Sequence, residues 1–386
     1  MKWEYVALGD LYEVHNGLSK GGRFFGDGFP FLSFSTVFNK WFLPQELPDL
    51  VQSTDKEQQS YSIRRGDVFV TRTSETMDEL GMSSVALKDY PHATYNGFTK
   101  RLRPINSERI LPEFIGYYLR TPFFRAGFAA FSTMTTRASL RNEDLLSMKV
   151  PVPDIPTQKR IANILSAYDN LIENDQKQIK LLEEAAQRLY KEWFVDLRFP
   201  GHETTPIVDG VPEGWTWGTL ADIAVFRRGK TITKDQVKAG IIPVVAGGLE
   251  PAYYHDTPNT NVPVVTVSGS GANAGFTRMY HTKVWASDCS YIDAAVTKNT
   301  AWVYCFLKGN KASIDAMQKG AAQPHVYAKD LNAMKALFPD DKLMEQFRVI
   351  ADPMFTRIGK LDMQIKRLAE ARDRLLPKLM SGEIEV

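Results

Sequence analysis

Apolar residues recur at alternating steps of three and four in two long stretches of the chain, which is the spacing of one face of an α-helix. The first stretch runs from about Pro156 to Phe194 and has no glycine or proline between these two residues. The second stretch lies near the C-terminus. There Pro353, and in the first stretch the corresponding Ala167, predict a short helix that turns into a long one of about 25 residues, or roughly 40 Å.

An amphipathic helix of this length needs a partner for its apolar face, and the chain offers two such faces of equal spacing. We therefore expect the two helices to pair antiparallel as a coiled coil. The alternative is that each helix lies against its own globular domain. One charged residue interrupts each face, Asp175 in the first and Arg372 in the second. The residues predicted to form the paired faces are Ile172, Ile179, Leu182, Leu189, Ile358, Leu361, Ile365, Leu368 and Leu375.

The segments outside the helices have a different pattern, with short runs of β-branched or aromatic residues separated by turns rich in glycine and asparagine. Residues 68–70, 263–267 and 301–306 are three such runs. This pattern predicts mixed α+β domains with many loops.

The chain also repeats itself, since Gln178-Ile179-Lys180 recurs as Gln364-Ile365-Lys366 at an offset of 186 (364 − 178). A period of this kind indicates duplicated architecture. A second, weaker internal similarity has an offset of 212 (229 − 17) and aligns Trp3, Leu8, Asp10 and Gly17 with Trp215, Leu220, Asp222 and Gly229. The predicted fold is therefore α+β with a pseudo-two-fold internal repeat, in which globular domains at 1–153 and 200–338 alternate with helical regions at 154–199 and 339–386.

Composition restricts the function only weakly. The chain has 47 basic and 45 acidic side chains, and a net charge of +2 neither indicates nor excludes nucleic acid. Two cysteines, Cys289 and Cys305, are too few for a disulfide framework or a four-cysteine zinc site, so we expect buried thiols and no metal. The sequence has no run of eighteen apolar residues and no signal-peptide pattern, which predicts a cytoplasmic protein without a membrane span.

The sequence lacks the motifs of an enzyme that acts on DNA. It has no Asn-Pro-Pro-aromatic or Asp-Pro-Pro-aromatic sequence, and Gly229-Lys230-Thr231 lacks the earlier glycine of a phosphate-binding loop. Asp154 and Asp340 each follow a proline at the start of a helical region, where an aspartate that caps the helix is the better interpretation than a nuclease motif. We therefore expect no catalysis by this chain.

Several loops combine small residues, hydroxyls and cations, a composition suited to a polyanion. The loop from Gly17 to Arg23 suits phosphate contacts, although a flexible surface turn is an equal alternative. Thr71 to Ser74 place one guanidinium among hydroxyls, a combination that can read base edges. Arg137 lies at the repeat equivalent of Gln323 (323 − 137 = 186), and these two residue types are natural readers of guanine and adenine. The predicted DNA-binding residues are Ser19, Lys20, Arg23, Thr71, Arg72, Thr73, Ser74, Thr136, Arg137, Arg228, Lys230, Ser268, Ser270, Asn273, Gln323 and His325.

Over essentially its whole length the chain resembles the DNA-specificity subunits of type I restriction-modification systems. The resemblance rests on the Trp, Leu, Asp and Gly that open each globular domain, on the Asp-Leu, Met-Lys and Pro-Asp pairs that close it, and on the ending 375–383. The segment 156–161 is also similar, whereas its second copy, 342–347, departs from the family pattern.

This resemblance implies a non-catalytic subunit for phage defence. Two target-recognition domains would each bind one half of an asymmetric, bipartite sequence in double-stranded DNA, and the paired helices would hold them apart. Two methyltransferase subunits would use S-adenosylmethionine to methylate adenine at N6, and restriction subunits would use ATP and magnesium. An alternative remains open, namely a coiled-coil scaffold with two globular domains that bind proteins, which the near-zero net charge would support.

Overall fold

The computed structural model describes residues 3–74, 80–129, 138–319 and 324–386. The chain forms two compact units. The first unit comprises Met1–Ile172 and Arg367–Val386, and the second comprises Glu173–Lys366. This grouping divides both helical regions, so it cuts across the predicted segments, whose boundaries stay a prediction.

The first unit is a mixed α+β domain. Its elements are β1 (Glu4–Ala7), β2 (Tyr12–Asn16), β3 (Phe25–Leu32), α1 (Phe34–Asn39), β4 (Asp49–Val51), α2 (Asp55–Ser60), β5 (Val68–Thr71), β6 (Thr73–Ser74), β7 (Ser83–Val85), β8 (Thr94–Tyr95), β9 (Thr99–Pro104), α3 (Pro112–Tyr118), α4 (Pro122–Ala129), β10 (Ala138–Ser139), α5 (Asn142–Ser147), β11 (Lys149–Val152) and the first part of α6 (Ile155–Tyr190). The central sheet is antiparallel with strand order β2-β9-β5-β7. The side chains of Val68, Val70 and Leu102 on this sheet are buried in the core.

The second unit repeats this plan with other side chains. It contains β12 (Ile207–Val208), β13 (Val211–Pro212), β14 (Thr216–Thr219), β15 (Arg227–Arg228), β16 (Ile242–Val245), β17 (Tyr253–His255), β18 (Val264–Ser268), β19 (Thr277–Tyr280), β20 (Trp285–Ala286), β21 (Cys289–Asp293), α7 (Thr300–Gly309), α8 (Lys311–Ala316), α9 (Ala328–Asn332), β22 (Lys335–Phe338) and most of α10 (Asp341–Ser381). Its central sheet has the order β15-β21-β18-β19.

The same short antiparallel pair opens and closes each globular domain. β1 pairs with β11 in the first unit, and β14 pairs with β22 in the second. After β1 the Leu8 N–H donates to the Met148 carbonyl at 2.8 Å, and after β14 the Leu220 N–H donates to the Met334 carbonyl at 2.8 Å. Both offsets read from the sequence are therefore confirmed as structural equivalences.

In each unit a segment of α6 packs antiparallel to a segment of α10. In the first unit Ile161 and Leu165, near the start of α6, share a core with Leu376 and Leu379, near the end of α10. In the second unit the end of α6 meets the start of α10, since Tyr190, the last residue of α6, contacts Phe347 near the start of α10. The predicted antiparallel pairing is confirmed, and all nine predicted face residues are buried or half-buried. The same segments also pack against the globular domains.

The break predicted at Pro353 is wrong, because α10 continues from Asp341 to Ser381. Proline removes one helical hydrogen bond, the one to the carbonyl of Val349. Val349 is 66% exposed, so it lies where water can replace the lost donor. Phe347 and Phe355, on either side of the proline, are buried in the core and hold both parts of the helix in place.

The run 301–306 forms α7 rather than a strand. A short, fully apolar run does not distinguish a buried strand from a buried helix. Here every residue from Thr300 to Leu307 is buried, which explains why the run has no polar face. The predicted strands at 68–70 and 263–267 are confirmed, with the second beginning one residue later.

Two further predictions from the sequence are confirmed. The carboxylates of Asp154 and Asp340 accept hydrogen bonds from the N–H groups of Thr157 and Leu343, three residues on, as capping aspartates do. Cys289 and Cys305 are free and buried, and burial raises the pKa of the Cys289 thiol to about 12.

Within the described part of the chain, no helix is long and apolar enough to cross a membrane.

Candidate nucleic-acid interface

Arg72 lies directly after β5, at the end of the central sheet of the first unit. Its N–H donates to the Phe98 carbonyl at 3.0 Å, and its carbonyl accepts from the Leu140 N–H at 2.9 Å. Thr73, the next residue, pairs with Ser139 in the two-stranded sheet of β6 and β10. The backbone of Arg72 is thus fixed on both sides. Its Nε is buried and has no hydrogen-bond partner among the residues that the structure describes.

Lys100 is a second cation beside Arg72, and sequence reasoning missed it. It lies in β9 opposite Val70, and its ammonium donates to Oδ1 of Asn142. Burial lowers the pKa of Lys100, and the positive charge of Arg72 lowers it further, whereas the carboxylate of Asp144 opposes the shift. Two neighbouring cations, with Asp144 as the acid that acts on Lys100, leave an excess of one positive charge at this place. We refer to Arg72, Thr73, Phe98, Lys100 and Ser139 as the first strand-end site.

The loop from Gly17 to Arg23 borders the same end of the sheet. A Cβ at Gly17 would collide with the Asn96 carbonyl, so glycine is required for this close approach. Ser19 is exposed and lies against Gly97, next to Phe98. Arg23 is exposed, with its guanidinium 4.8 Å from the centre of the Phe24 ring.

Lys20 has partners within the chain. Its ammonium donates to Oε2 of Glu57 at 2.8 Å and to the Gln52 carbonyl at 2.5 Å. The hydrogen bond from Lys20 lowers the pKa of Glu57. A phosphate would have to compete with these two acceptors, and the predicted DNA contact of Lys20 stays a prediction.

The second unit builds the same backbone arrangement after β18. The Gly269 N–H donates to the Asp288 carbonyl at 3.2 Å, and the Gly269 carbonyl accepts from the Val326 N–H at 3.1 Å. Val326 is the repeat equivalent of Leu140 (326 − 140 = 186), so Gly269 takes the position of Arg72. Ser270 bridges to His325, as Thr73 pairs with Ser139. We refer to Arg228, Gly269, Ser270, Asp288 and His325 as the second strand-end site.

In the second strand-end site, Asp288 contacts both Ser270 and Arg228. The Ser270 hydroxyl donates to Oδ2 of Asp288, and Nη2 of Arg228 lies 3.9 Å from Oδ1. The His325 ring stacks on Tyr327 with centroids 5.9 Å apart. Three predicted residues, Arg228, Ser270 and His325, are therefore brought together across about 100 positions of sequence. Asp288, which contacts both Arg228 and Ser270, was not predicted.

Lys230 lies beside this site. Its N–H donates to the Ala286 carbonyl at 2.9 Å, and its exposed ammonium lies 6.0 Å from the centre of the Trp285 ring. The indole of Trp285 in turn donates to the Lys230 carbonyl at 2.8 Å. The backbone of Lys230 is therefore fixed, whereas its charge faces solvent.

Thr71 and Ser268 lie at equivalent strand ends, and both side chains are buried. Oγ1 of Thr71 accepts from the Met82 N–H at 2.9 Å, and the Ser268 hydroxyl donates to the Gly247 carbonyl at 3.0 Å. These hydroxyls stabilise the domains, and their predicted contacts with DNA stay predictions. Asn273 is half-buried in a helical turn at Gly271–Asn273. Ser74 lies in β6, paired with Ala138. Thr136, Arg137 and Gln323 lie outside the described residues.

Comparison with known proteins gives a consistent result. Residues 1–184 match the model of the type I restriction modification DNA specificity domain. The chain is 24% identical to the MjaIX specificity subunit of Methanocaldococcus jannaschii, an alignment that covers 100% of this chain and 94% of the relative. It is 21% identical to the HindI specificity subunit of Haemophilus influenzae, with 99% of each chain covered.

Residues 1–184 belong to the family of type I restriction modification DNA specificity domains, and over its whole length the chain is similar to type I specificity subunits.

A solved member of this family has the same fold. The S subunit of a type I system from M. genitalium matches with a TM-score of 0.61 and 16% identity, over 98% of this chain and 96% of that one. Within the described residues of this chain, no cluster of three or more histidine, cysteine or acidic side chains could hold a metal ion.

Proposed function

We propose that this specificity subunit binds a bipartite DNA sequence and that each unit reads one half through its strand-end site. The observation that carries the proposal is a repeated backbone with different side chains. Gly269 stands where Arg72 stands, and Asp288 stands where Phe98 stands. A duplicated frame that presents different polar groups is what two different half-sites require.

The distribution of charge also supports DNA as the ligand. The net charge is only +2, yet cations collect at the strand ends. Arg72 and Lys100 adjoin one another in the first unit, and Arg228 and Lys230 are exposed in the second. A DNA reader can confine its basic groups to one face, because phosphate contacts depend on local rather than total charge. A scaffold that binds only proteins would not require cations at the strand ends of both units.

We propose further that the chain itself is non-catalytic and directs partner subunits in the cytoplasm. Two methyltransferase subunits would methylate adenine at N6 with S-adenosylmethionine, and restriction subunits would require ATP and magnesium. The family assignment supports this division of labour, as does the lack of methyltransferase and phosphate-loop motifs in the sequence. These cofactors would belong to the partners.

The test is single-molecule sequencing of methylated adenine in cells that express this chain with its neighbouring methyltransferase. The control strain carries the methyltransferase alone. A bipartite methylated motif that appears only with this chain is the expected result. Methylation that is identical in both strains would contradict the proposal and favour the scaffold alternative.

A salt titration of DNA binding by the assembled complex provides a second test. Because cations at the strand ends would displace counterions from phosphates, we expect the logarithm of the affinity to fall linearly with the logarithm of salt concentration. An affinity that does not change with salt would contradict binding through these cations.

A further inference from the structure

The second strand-end site contains a carboxylate that the general requirements of DNA binding do not explain. Asp288 follows the end of β20, and its side chain is 37% exposed next to Arg228. An acid on a face that meets DNA is repelled by the phosphates, at a cost that only a specific contact offsets. The position of Asp288 is therefore informative about what the site reads.

The carboxylate is held in one orientation. Oδ2 accepts from the Ser270 hydroxyl, and Ser270 is itself fixed by its bridge to His325. Oδ1 lies 3.9 Å from Nη2 of Arg228, which is beyond hydrogen-bond distance. Oδ1 thus keeps capacity to accept a hydrogen bond. A fixed acceptor with spare capacity is suited to read a donor.

Gly269 keeps the space in front of this acceptor open. A Cβ at position 269 would lie 3.3 Å from Oδ1 of Asp288, so that any larger side chain would crowd it. Arg228, Gly269, Asp288 and His325 are among the residues that line a cavity of about 30 Å³. That volume accommodates a water molecule or one functional group but not a whole base. The site therefore suits the edge of a base that remains stacked in the duplex.

Arg228 supplies the complementary chemistry beside the acceptor. Its side chain is 71% exposed, so the guanidinium is free to approach DNA. In the major groove guanine presents two acceptors, N7 and O6, and its paired cytosine presents the N4 amino donor. Arginine suits the first base and aspartate suits the second. A neighbouring arginine and aspartate thus match the edge of one guanine–cytosine pair.

We infer that Asp288 is a specificity-determining residue, which accepts a hydrogen bond from a cytosine amino group while Arg228 contacts the paired guanine. This inference rests on the proposed function and names the base pair read by the second strand-end site. In the first unit Phe98 takes the place of Asp288, so the same geometry predicts no such acceptor there.

The test uses the assembled complex of this chain with its methyltransferase and duplexes that carry the methylated motif. Each base pair of both half-sites is replaced in turn, and relative affinities are measured by competition. In the wild type we expect one guanine–cytosine pair whose replacement costs at least about fivefold. In Asp288→Ala that preference should fall by at least about threefold, with the share contributed by Arg228 retained, whereas affinity for unrelated DNA should rise because one negative charge has been removed.

Two further variants make the outcome decisive. Asp288→Asn retains an oxygen for Ser270 but presents an amide donor, so it should lose the preference for cytosine without a change in melting temperature. Glu213→Ala removes an exposed carboxylate from the turn between β13 and β14, and should change neither preference nor affinity. An unchanged base profile in both Asp288 variants overturns the inference, as does an equal loss of affinity for all duplexes. A wild-type complex that methylates no motif would instead contradict the proposed function itself.

Discussion

Arg72 has a fixed backbone and a side-chain donor without a hydrogen-bond acceptor, a combination expected of a residue that binds a ligand. Its N–H and its carbonyl are both bonded within the first unit, whereas its buried Nε has no partner among the described residues. A buried donor without an acceptor costs about 1–3 kcal/mol, and a bound acceptor would recover that cost. Lys100 adds positive potential behind it.

We therefore predict that Arg72→Lys separates charge from recognition. The lysine keeps the positive charge, so affinity for unrelated DNA should stay within about twofold. It loses the planar fork, so discrimination at one base pair should fall by about 1–3 kcal/mol. Competition binding with replaced base pairs measures both quantities. Arg64→Lys is the control, since Arg64 is exposed elsewhere in the same unit. A base profile that Arg72→Lys leaves intact would show that Arg72 does not read bases.

His281 provides a prediction about stability and pH. Its ring stacks on Phe355 of α10, and burial lowers the pKa of His281 from 6.5 to about 4. The unfolded chain binds the proton more readily than the folded one, so stability present above pH 6.5 is lost as pH falls towards 4. Between pH 7 and pH 5 this loss is about 2 kcal/mol.

The measurement is urea denaturation of the wild type and His281→Gln at both pH values. The variant cannot gain this proton, so its stability should fall by about 2 kcal/mol less than that of the wild type. Lys298, Arg348, Asp352 and Lys360 line the same cavity, and burial raises the pKa of Asp352, which acts in the opposite direction. These groups are present in both proteins and largely cancel in the comparison. Parallel pH profiles would contradict the prediction.

The sequence could reveal part of each candidate site, namely the part that local chemistry marks. Arg72 is recognisable because a cation among hydroxyls follows a strand, and Ser270 because it lies in a glycine-rich turn. Lys100 and Asp288 carry no such local signal. Their importance depends on which strand pairs with which, since Lys100 meets Asn142 and Asp288 meets Ser270 only after the sheets form.

At the scale of elements, a polar cluster anchors the two long helices to the globular domain of the first unit. Asp169 of α6 accepts from Arg372 of α10 at 2.5 Å and from the Tyr117 hydroxyl of α3 at 2.6 Å. The Arg372 guanidinium lies 4.8 Å from the centre of the Trp41 ring. The charged residue that interrupts the apolar face of α10 is thus a specific contact between three elements rather than a defect.

We predict that Arg372→Ala destabilises the protein by about 1–3 kcal/mol, because it leaves a half-buried carboxylate with one partner fewer. The control is Arg374→Ala. Arg374 is 78% exposed and pairs with Glu370 within the same helix, a contact typically worth under about 0.5 kcal/mol. Urea denaturation of both variants provides the comparison. Equal effects would show that the cluster around Asp169 contributes no more than a surface ion pair.

Helices with long periodic patterns were predictable, whereas of the three short apolar runs two, 68–70 and 263–267, were assigned correctly as strands and one, 301–306, was not. The pattern that ends near Phe194 matches α6 and the helical turn that follows it, because an amphipathic stripe over so many residues has few alternative interpretations. The run 301–306 lacks any polar residue, so its period is hidden. At Pro353 a local rule failed, because packing on both sides of the proline outweighs one lost hydrogen bond.

At the scale of the whole molecule, the two copies keep the same backbone contacts but carry different side chains. Gly17 and Gly229 make the same close approach to a carbonyl, of Asn96 in one unit and of Ser287 in the other. The N–H groups of Leu140 and Val326 close the same turn. The polar groups placed on this shared frame differ at nearly every position. A scaffold of this kind allows one half-site to change without the other.

The last prediction follows from this independence. The contacts described for Arg72 lie within the first unit, and those described for Arg228 lie within the second. Residues without shared partners act additively, to within about 0.5 kcal/mol. Arg72→Ala should therefore relax one half of the methylated motif, Arg228→Ala should relax the other half, and the double variant should relax both by the sum. Methylome sequencing assigns each effect to a half-site, and competition binding gives its size. If both single variants relaxed the same half, the assignment of one half-site to each unit would be wrong, because two residues in separate units would then be reading one segment of DNA.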